Sequence, residues 1–323
     1  NNGGYISPST EKHEFLKALL DGLKQRRSRQ RNYPPLQSLR LDYGYLNRYF
    51  FEHVAEDDIL DGLQELELKF YYEAEMPPSV QEILLKPNNN GGGGGLRRLI
   101  LDYDALGYHA AADLQRWIRR NTTLQSLVFP AVAANANVAA LPDCNGIDTF
   151  CWGNGNITEL QVQGTSPELE TLLKKDQICR LQKLIITSDT TLEDGTFLSA
   201  LKENTSLQYV SLANCTLEGL EALAYLLPIK WNWKEVHLTT ICNMQEDITT
   251  IPEQIDKVKR LLEDNLKESK TIHRFTCDLD EYGHTFQSNL RYLGLRNRML
   301  QVRALPLGRD LPLDVLRAVA SYL

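Results

Sequence analysis

Between Leu181 and Thr239 the chain repeats one arrangement of apolar and polar positions. Leu181, Leu184 and Ile186 occupy positions one, four and six of a first opening, Leu207, Val210 and Leu212 those of a second, and Trp233, Val236 and Leu238 those of a third. The openings start 26 residues apart, and a fixed period of that size marks a repeat array. Within each opening the apolar positions alternate with polar ones, as on a strand with one buried face. The stretches between them show helical spacing instead: Leu192, Phe197, Leu198 and Leu201, then Leu217, Leu220, Leu223, Ala224 and Leu227. A short one-sided strand joined to an amphipathic helix of about ten residues cannot bury its apolar face alone, but stacked neighbours can.

The same opening recurs at Leu36, Leu63, Leu96, Leu124, Ile157 and Ile272, so nine strands are predicted. Their intervals run 27, 33, 28, 33, 24, 26, 26 and 39 residues. The long ones coincide with insertions: the Asn- and Gly-rich run 88–95, the Ala/Asn stretch 130–156, and a long helix through Ile255, Val258, Leu261, Leu262 and Leu266. Thr250-Ile251-Pro252-Glu253 opens that helix as a capping box, and Ser166-Pro167 is another helix start. Val80, Ile83 and Leu85 begin only 17 residues after Leu63 and read as an irregular return segment. Ahead of the array, Phe15, Leu16, Leu19, Leu20 and Leu23 make one apolar helical stripe, stopped at Tyr33-Pro34-Pro35.

The junctions Glu203-Asn204-Thr205-Ser206-Leu207 and Asn121-Thr122-Thr123-Leu124, together with the strand-helix alternation, resemble the leucine-rich repeats of the ribonuclease-inhibitor-like kind. That resemblance implies an α/β solenoid, a right-handed horseshoe with parallel strands on the concave face and helices on the convex face. It would comprise about nine repeats over 1–289 and a C-terminal capping segment over 290–323. It implies no reaction. The family often places Asn or Cys eight residues after the first apolar position; here the slot holds Cys215 once, but Gly44, Val132, Thr165 and Ile241 elsewhere.

In such a fold, positions three, five and seven of each opening face outward from the sheet. Charges dominate the ends of this expected surface. Ile100, Val128, Ile185 and Tyr209 soften its middle, with His237 in the strand after Tyr209. An apolar centre with a charged rim suits a folded protein or peptide partner. The expectation is therefore a non-enzymatic scaffold, with Ile100, Val128, Ile185, Tyr209 and His237 as partner-binding residues; a plain solvated sheet face is the alternative.

Composition narrows the rest. With 35 basic and 42 acidic residues the net charge is -7, so no positive excess drives phosphate binding and nucleic acid is not expected as a partner. The basic run Lys24 to Arg31 reads as a solvated helix end. No apolar run approaches the roughly 18 residues of a membrane helix. Cys144, Cys151, Cys179, Cys215, Cys242 and Cys277 form no CxxC pair, which favours reduced core thiols, with a Cys144–Cys151 bridge in a secreted protein as the alternative. Sequons at Asn121, Asn156, Asn204 and Asn214 sit mostly where the repeat itself prefers Asn and Thr. The glycine run lacks the Lys-Ser or Lys-Thr end of a phosphate loop. The six histidines are scattered and no nucleophile elbow occurs, so no catalytic residue, cofactor or metal is expected.

The tail from Leu305 to Leu323 lies outside the repeat. Its Leu311-Pro312-x-Asp314-Val315-Leu316 phrase is similar to the start of an F-box, and Leu290 to Leu300 with the Leu-Pro segment resembles the elongin-binding box of ubiquitin-ligase substrate receptors. The alternative function is thus a substrate-recognition adaptor, while a cap over the last repeat explains the same leucines. The chain opens Asn1-Asn2-Gly3-Gly4 without Met. Cytoplasm or nucleus is the expected location, and an organelle lumen after removal of a targeting peptide the alternative.

Overall fold

A computed structural model describes residues 37–42, 63–70, 95–103, 121–128 and most of 156–322, the longest gaps in the last span being 175–179, 241–250 and 306–310. A few helical positions near the N-terminus and at Ile118 are also described. The return segment around Val80 to Leu85, nearly all of the glycine run, the stretch 130–155 and the capping residue Thr250 lie outside the described residues. So do Cys144, Cys151, Cys179 and Cys242.

Each of the nine predicted openings becomes a strand, beginning at its third position. They are β1 Ser38–Asp42, β2 Glu65–Phe70, β3 Arg98–Tyr103, β4 Ser126–Val128, β5 Glu159–Val162, β6 Lys183–Ile186, β7 Tyr209–Cys215, β8 Glu235–Thr240 and β9 Arg274–Cys277. Helices alternate with the later strands: α1 Pro167–Lys174, α2 Thr196–Glu203, α3 Leu217–Ala224 and α4 Ile251–Glu268, then α5 His284–Ala304 and α6 Leu313–Tyr322 beyond β9. The chain divides into two compact units, 1–157 and 158–323. In the first, β1 to β4 pair in sequence order, all parallel. In the second, β5 to β9 do the same. The expected 289/290 boundary falls inside α5.

In the second unit the alternation predicted along each strand is the burial observed, whereas β4 of the first unit is buried at Ser126, Leu127 and Val128 alike. Leu160 and Val162, Leu184 and Ile186, Val210 and Leu212, Val236 and Leu238, Phe275 and Cys277 are buried, and the residues between them are partly or fully exposed. The helices of the second unit bury Leu169, Leu172 and Leu173, then Phe197 and Leu201, then Leu220 and Leu223, with Leu227 on the turn after α3, then Val258, Leu262 and Leu266. In the first unit Leu63, Leu66, Leu99, Ile118, Leu124 and Leu127 are buried.

Register is set just before each strand. The N–H groups of positions two and three both donate to the position-two carbonyl of the preceding repeat, as Gln182 and Lys183 do to Thr158 at 2.8 and 2.9 Å. The position-one carbonyl lies outside the ladder and is met by a side chain from the following junction. Thr123 Oγ1 donates to Leu96 O at 2.9 Å, Ser206 Oγ to Leu181 O at 2.7 Å, and Asn232 Nδ2 to Leu207 O at 2.6 Å. In two longer repeats the donor reaches an earlier carbonyl: Asn156 that of Thr122, and Thr271 that of Lys230. Three residues before the opening, Asn204 accepts from the N–H groups of Ser206 and Leu207 and donates to Leu173 O at 3.1 Å. Only 1% of Asn204 is exposed, so the sequon there has a structural purpose. Asn121 accepts from Thr123 and Leu124 N–H in the same way.

Helix α5 ends the series by the same means. Asn297, fully buried, donates through Nδ2 to Ile272 O at 2.7 Å, the position-one carbonyl of the last repeat. Gln301 donates to Lys270 O and Thr271 O, Arg298 to His273 O, and Arg296 to Lys267 O. Gly294 lets the helix approach: a Cβ there would lie 2.5 Å from His273 O, a backbone atom that cannot step aside. Asn297→Ala is expected to cost about 1–3 kcal/mol by leaving a buried carbonyl without a donor. Gly294→Ala should cost roughly as much by forcing α5 off β9. Urea denaturation checks both, with Gly22→Ala, a helical site with open space around it, as the control that should not destabilise.

Candidate protein-interaction face

The outward side chains of the second unit form two cross-strand rows. Glu159, Lys183, Tyr209, Glu235 and Arg274 stand in register in one, and Gln161, Ile185, Ser211, His237 and Thr276 in the other. Parallel strands stand about 5 Å apart, so neighbours in a row touch. Lys183 Nζ pairs with Glu159 Oε1 at 3.0 Å and sits 5.1 Å from the Tyr209 ring centroid. The Tyr209 ring leans diagonally onto His237, with centroids 5.0 Å apart and planes tilted by 35°. His237 Nδ1 shares a 2.7 Å hydrogen bond with Thr276 Oγ1.

Glu235 gathers the positive side of this surface. Its carboxylate lies 3.2 Å from Arg274 Nη1, 3.7 Å from His237 Nε2 and 3.8 Å from His273 Nε2. Burial pushes the pKa of both histidines below the ordinary 6.5, overriding the opposite pull of Glu235. Both rings are therefore neutral at pH 7, and His237 meets Tyr209 as one ring on another rather than as a cation.

The surface residues named from the sequence are thus brought together in part. Tyr209 and His237 are in contact. Ile185 stands opposite Ser211, one diagonal from Tyr209, and is half-buried. In the first unit Ile100 is half-buried and in register with Glu67 and Val128. Val128 itself is only 3% exposed and Ser126 7%. Val128 is thus buried although it takes the outward position: alternation tells which side of a strand a residue takes, not how far that side is exposed. The periodicity of openings also gave no sign of Lys183, Glu235 and Thr276 as the groups that tie the rows together, because each is unremarkable alone and meaningful only beside its cross-strand neighbour. Nor did it mark the exposed Tyr225, Ile229 and Trp231 on the turn after α3.

Chemically the face offers little for bond-making. His237 and Thr276 form an imidazole–hydroxyl pair, but strand N–H groups lie in the plane of the sheet and are used by the ladder. They cannot converge on an oxyanion above the face. Cys215 and Cys277 are buried thiols outside any disulfide; burial pushes Cys215 up to about 12 and Cys277 upward as well, which keeps them protonated and unreactive. Glu235, His237 and His273 come nearest to a ligand set, yet Arg274 occupies the same carboxylate. No group of three His, Cys, Asp or Glu able to hold a metal occurs among the described residues. No helix among them is long and apolar enough to cross a membrane.

No protein-family model and no curated protein matches the chain.

Depressed histidine pKa values make stability depend on pH. Between the folded values and 6.5 the unfolded chain binds more protons, so the contribution is complete above about pH 6.5 and is lost as pH falls below it. Thermal melts are expected to be level from pH 8 to 6.5 and to decline from there toward pH 5. A His237→Gln/His273→Gln double variant should decline less over that interval.

Proposed function

We propose that the chain is a leucine-rich-repeat solenoid of the ribonuclease-inhibitor-like kind that acts as a non-enzymatic scaffold, binding a protein partner through the outward strand face of its second unit. The observation that carries this reading is the run of contacts that crosses from one row to the other, from Lys183 over Tyr209 to His237 and Thr276. Its charges are matched within the face, by Glu159 for Lys183 and Glu235 for Arg274, and its two rings lean on each other. A face whose ions are already paired has little electrostatic steering left to offer, and its affinity must come from the large, stiff side chains at its centre. Tyr209 is that residue: it has considerable contact area, few rotors, and an orientation set by a cation on one side and a ring on the other. Ile185 and His237 complete the patch. In the first unit Ile100 is the corresponding candidate. The sequential parallel strands, the alternating helices and the repeated Asn and Ser/Thr junctions support the family reading.

The test uses the partner that co-purifies from the native source, titrated calorimetrically against the full chain. Tyr209→Ala should weaken binding by roughly 2 kcal/mol or more. Glu67→Ala should change it little, since Glu67 is engaged with Arg40 at 2.9 Å and Arg40 is largely solvated. Equal and negligible effects in a protein that still binds would move the partner to the helices, the loops or the tail.

A further inference from the structure

Helix α5 uses one face and leaves another. Phe286, Leu290, Leu293, Gly294 and Asn297 are turned inward, and Val302 is buried as well. Helix α6 folds back along α5, where Arg298 Nη1 donates to Ala320 O at 2.9 Å, and contributes Leu316 and Ala320 to the interior. This accounts for only part of the apolar character of the C-terminal segment. Tyr292 is 65% exposed and Leu300 43%, while Leu313, Val315 and Val319 on α6 are exposed as well. On α5, Tyr292, Arg296, Met299, Leu300 and Arg303 follow the spacing i, i+4, i+7, i+8 and i+11, which is one continuous stripe on a helix. It spans about three turns, roughly 16 Å. The two helices carry Arg291, Arg296, Arg298, Arg303 and Arg317 against the single carboxylate of Asp314, in a chain whose net charge is -7. Arg291, Arg303 and Arg317 are exposed, and none of them joins an ion pair among the described residues.

We infer that the outer stripe of α5, flanked by α6, is a second docking surface, whose occupant is an acidic amphipathic helix of a protein partner. The inference is independent of the strand-face reading. Charge complementarity selects this occupant over two others. In a membrane, insertion of Tyr292, Met299 and Leu300 would drag Arg296 and Arg303 with them, because the arginines lie within the apolar stripe rather than on an opposite polar face. In a symmetric dimer the same patch meets itself, setting arginine against arginine. A helix with carboxylates seven residues apart and leucines between them matches Tyr292, Met299 and Leu300 on one side and, on the other, the exposed guanidinium of Arg303 in a fork geometry and the remaining Nη1 of Arg296, whose Nε and Nη2 are held by Asn297 Oδ1 and Lys267 O.

The experiment uses the full chain and a fluorescein-labelled helical peptide of about 18 residues, with Glu at i and i+7 and Leu at i+3 and i+4, read by fluorescence anisotropy. A scrambled peptide of equal composition is the control. Saturable binding of the patterned peptide alone is expected, weakened about tenfold or more by Arg303→Glu and restored when the facing Glu of the peptide becomes Arg. Tyr292→Ala should also weaken it, and Tyr209→Ala should leave it unchanged, so that failure here and failure of the strand-face reading are told apart. Arg303 is exposed, and an unchanged far-ultraviolet dichroism spectrum verifies the fold. Absence of saturable binding, equal binding of the scrambled peptide, or indifference to Arg303→Glu overturns the inference. So does binding to phosphatidylserine vesicles without binding to the peptide, or a dimer in sedimentation that Tyr292→Ala dissolves.

Discussion

A carbonyl that stands two residues ahead of a strand has no place in the ladder, and the architecture depends on how that group is satisfied. In the regular repeats the next junction supplies a hydroxyl or an amide: Thr123 for Leu96, Ser206 for Leu181, Asn232 for Leu207. Each such bond joins two repeats across 25 to 27 residues of sequence and fixes both their separation and their register. A buried carbonyl left without a donor costs more than a typical hydrogen bond gains, so the requirement penalises misaligned stacking more than it rewards correct stacking. Apolar burial drives the repeats together, and this polar bond decides how they line up.

The same requirement explains how the series stops. Among the described residues no further strand follows β9, and Asn297 of α5 delivers the donor that a following junction supplies in the earlier repeats. Helix α5 thereby differs from α1 to α4. It is held by hydrogen bonds to the carbonyls of residues 267 and 270–273 and by the close approach that Gly294 allows. On its other face only Arg296 reaches back to the second unit, through Lys267 O, while Tyr292 and Leu300 are exposed.

On the strand face the physics runs the other way. There the backbone is fully used by the ladder, and the side chains have one another as partners. Glu159 with Lys183 and Arg274 with Glu235 neutralise most of the charge that a linear reading of the rows displays. What stays available is Tyr209 between a lysine and a neutral histidine, and an isoleucine one diagonal away. Partial burial is what keeps His237 and His273 uncharged beside a carboxylate, which makes the face less polar at neutral pH than its composition suggests.

The spacing of apolar residues was enough to find all nine strands, each beginning two residues after the first apolar position of its opening, because a one-sided strand has only one way of meeting its neighbours: a slip by a single position would turn Leu184 and Ile186 out and Lys183 and Ile185 in. The amphipathic helices between Leu181 and Trp233 were legible for the same reason, and so was the double use of Asn and Ser/Thr at the junctions. Tertiary structure decided what periodicity cannot carry. Val128 obeys the alternation of an outward residue and is nonetheless buried. Lys183, Glu235 and Thr276 acquire their parts chiefly from partners on neighbouring strands, Glu159 and Tyr209, Arg274, and His237. Asn297 lies in a helix whose sequence shows no sign of the carbonyl it completes. A repeat pattern is a local constraint renewed at each turn of the chain, whereas coverage, pairing and termination are set by residues distant in sequence, and these are known only once the repeats have stacked.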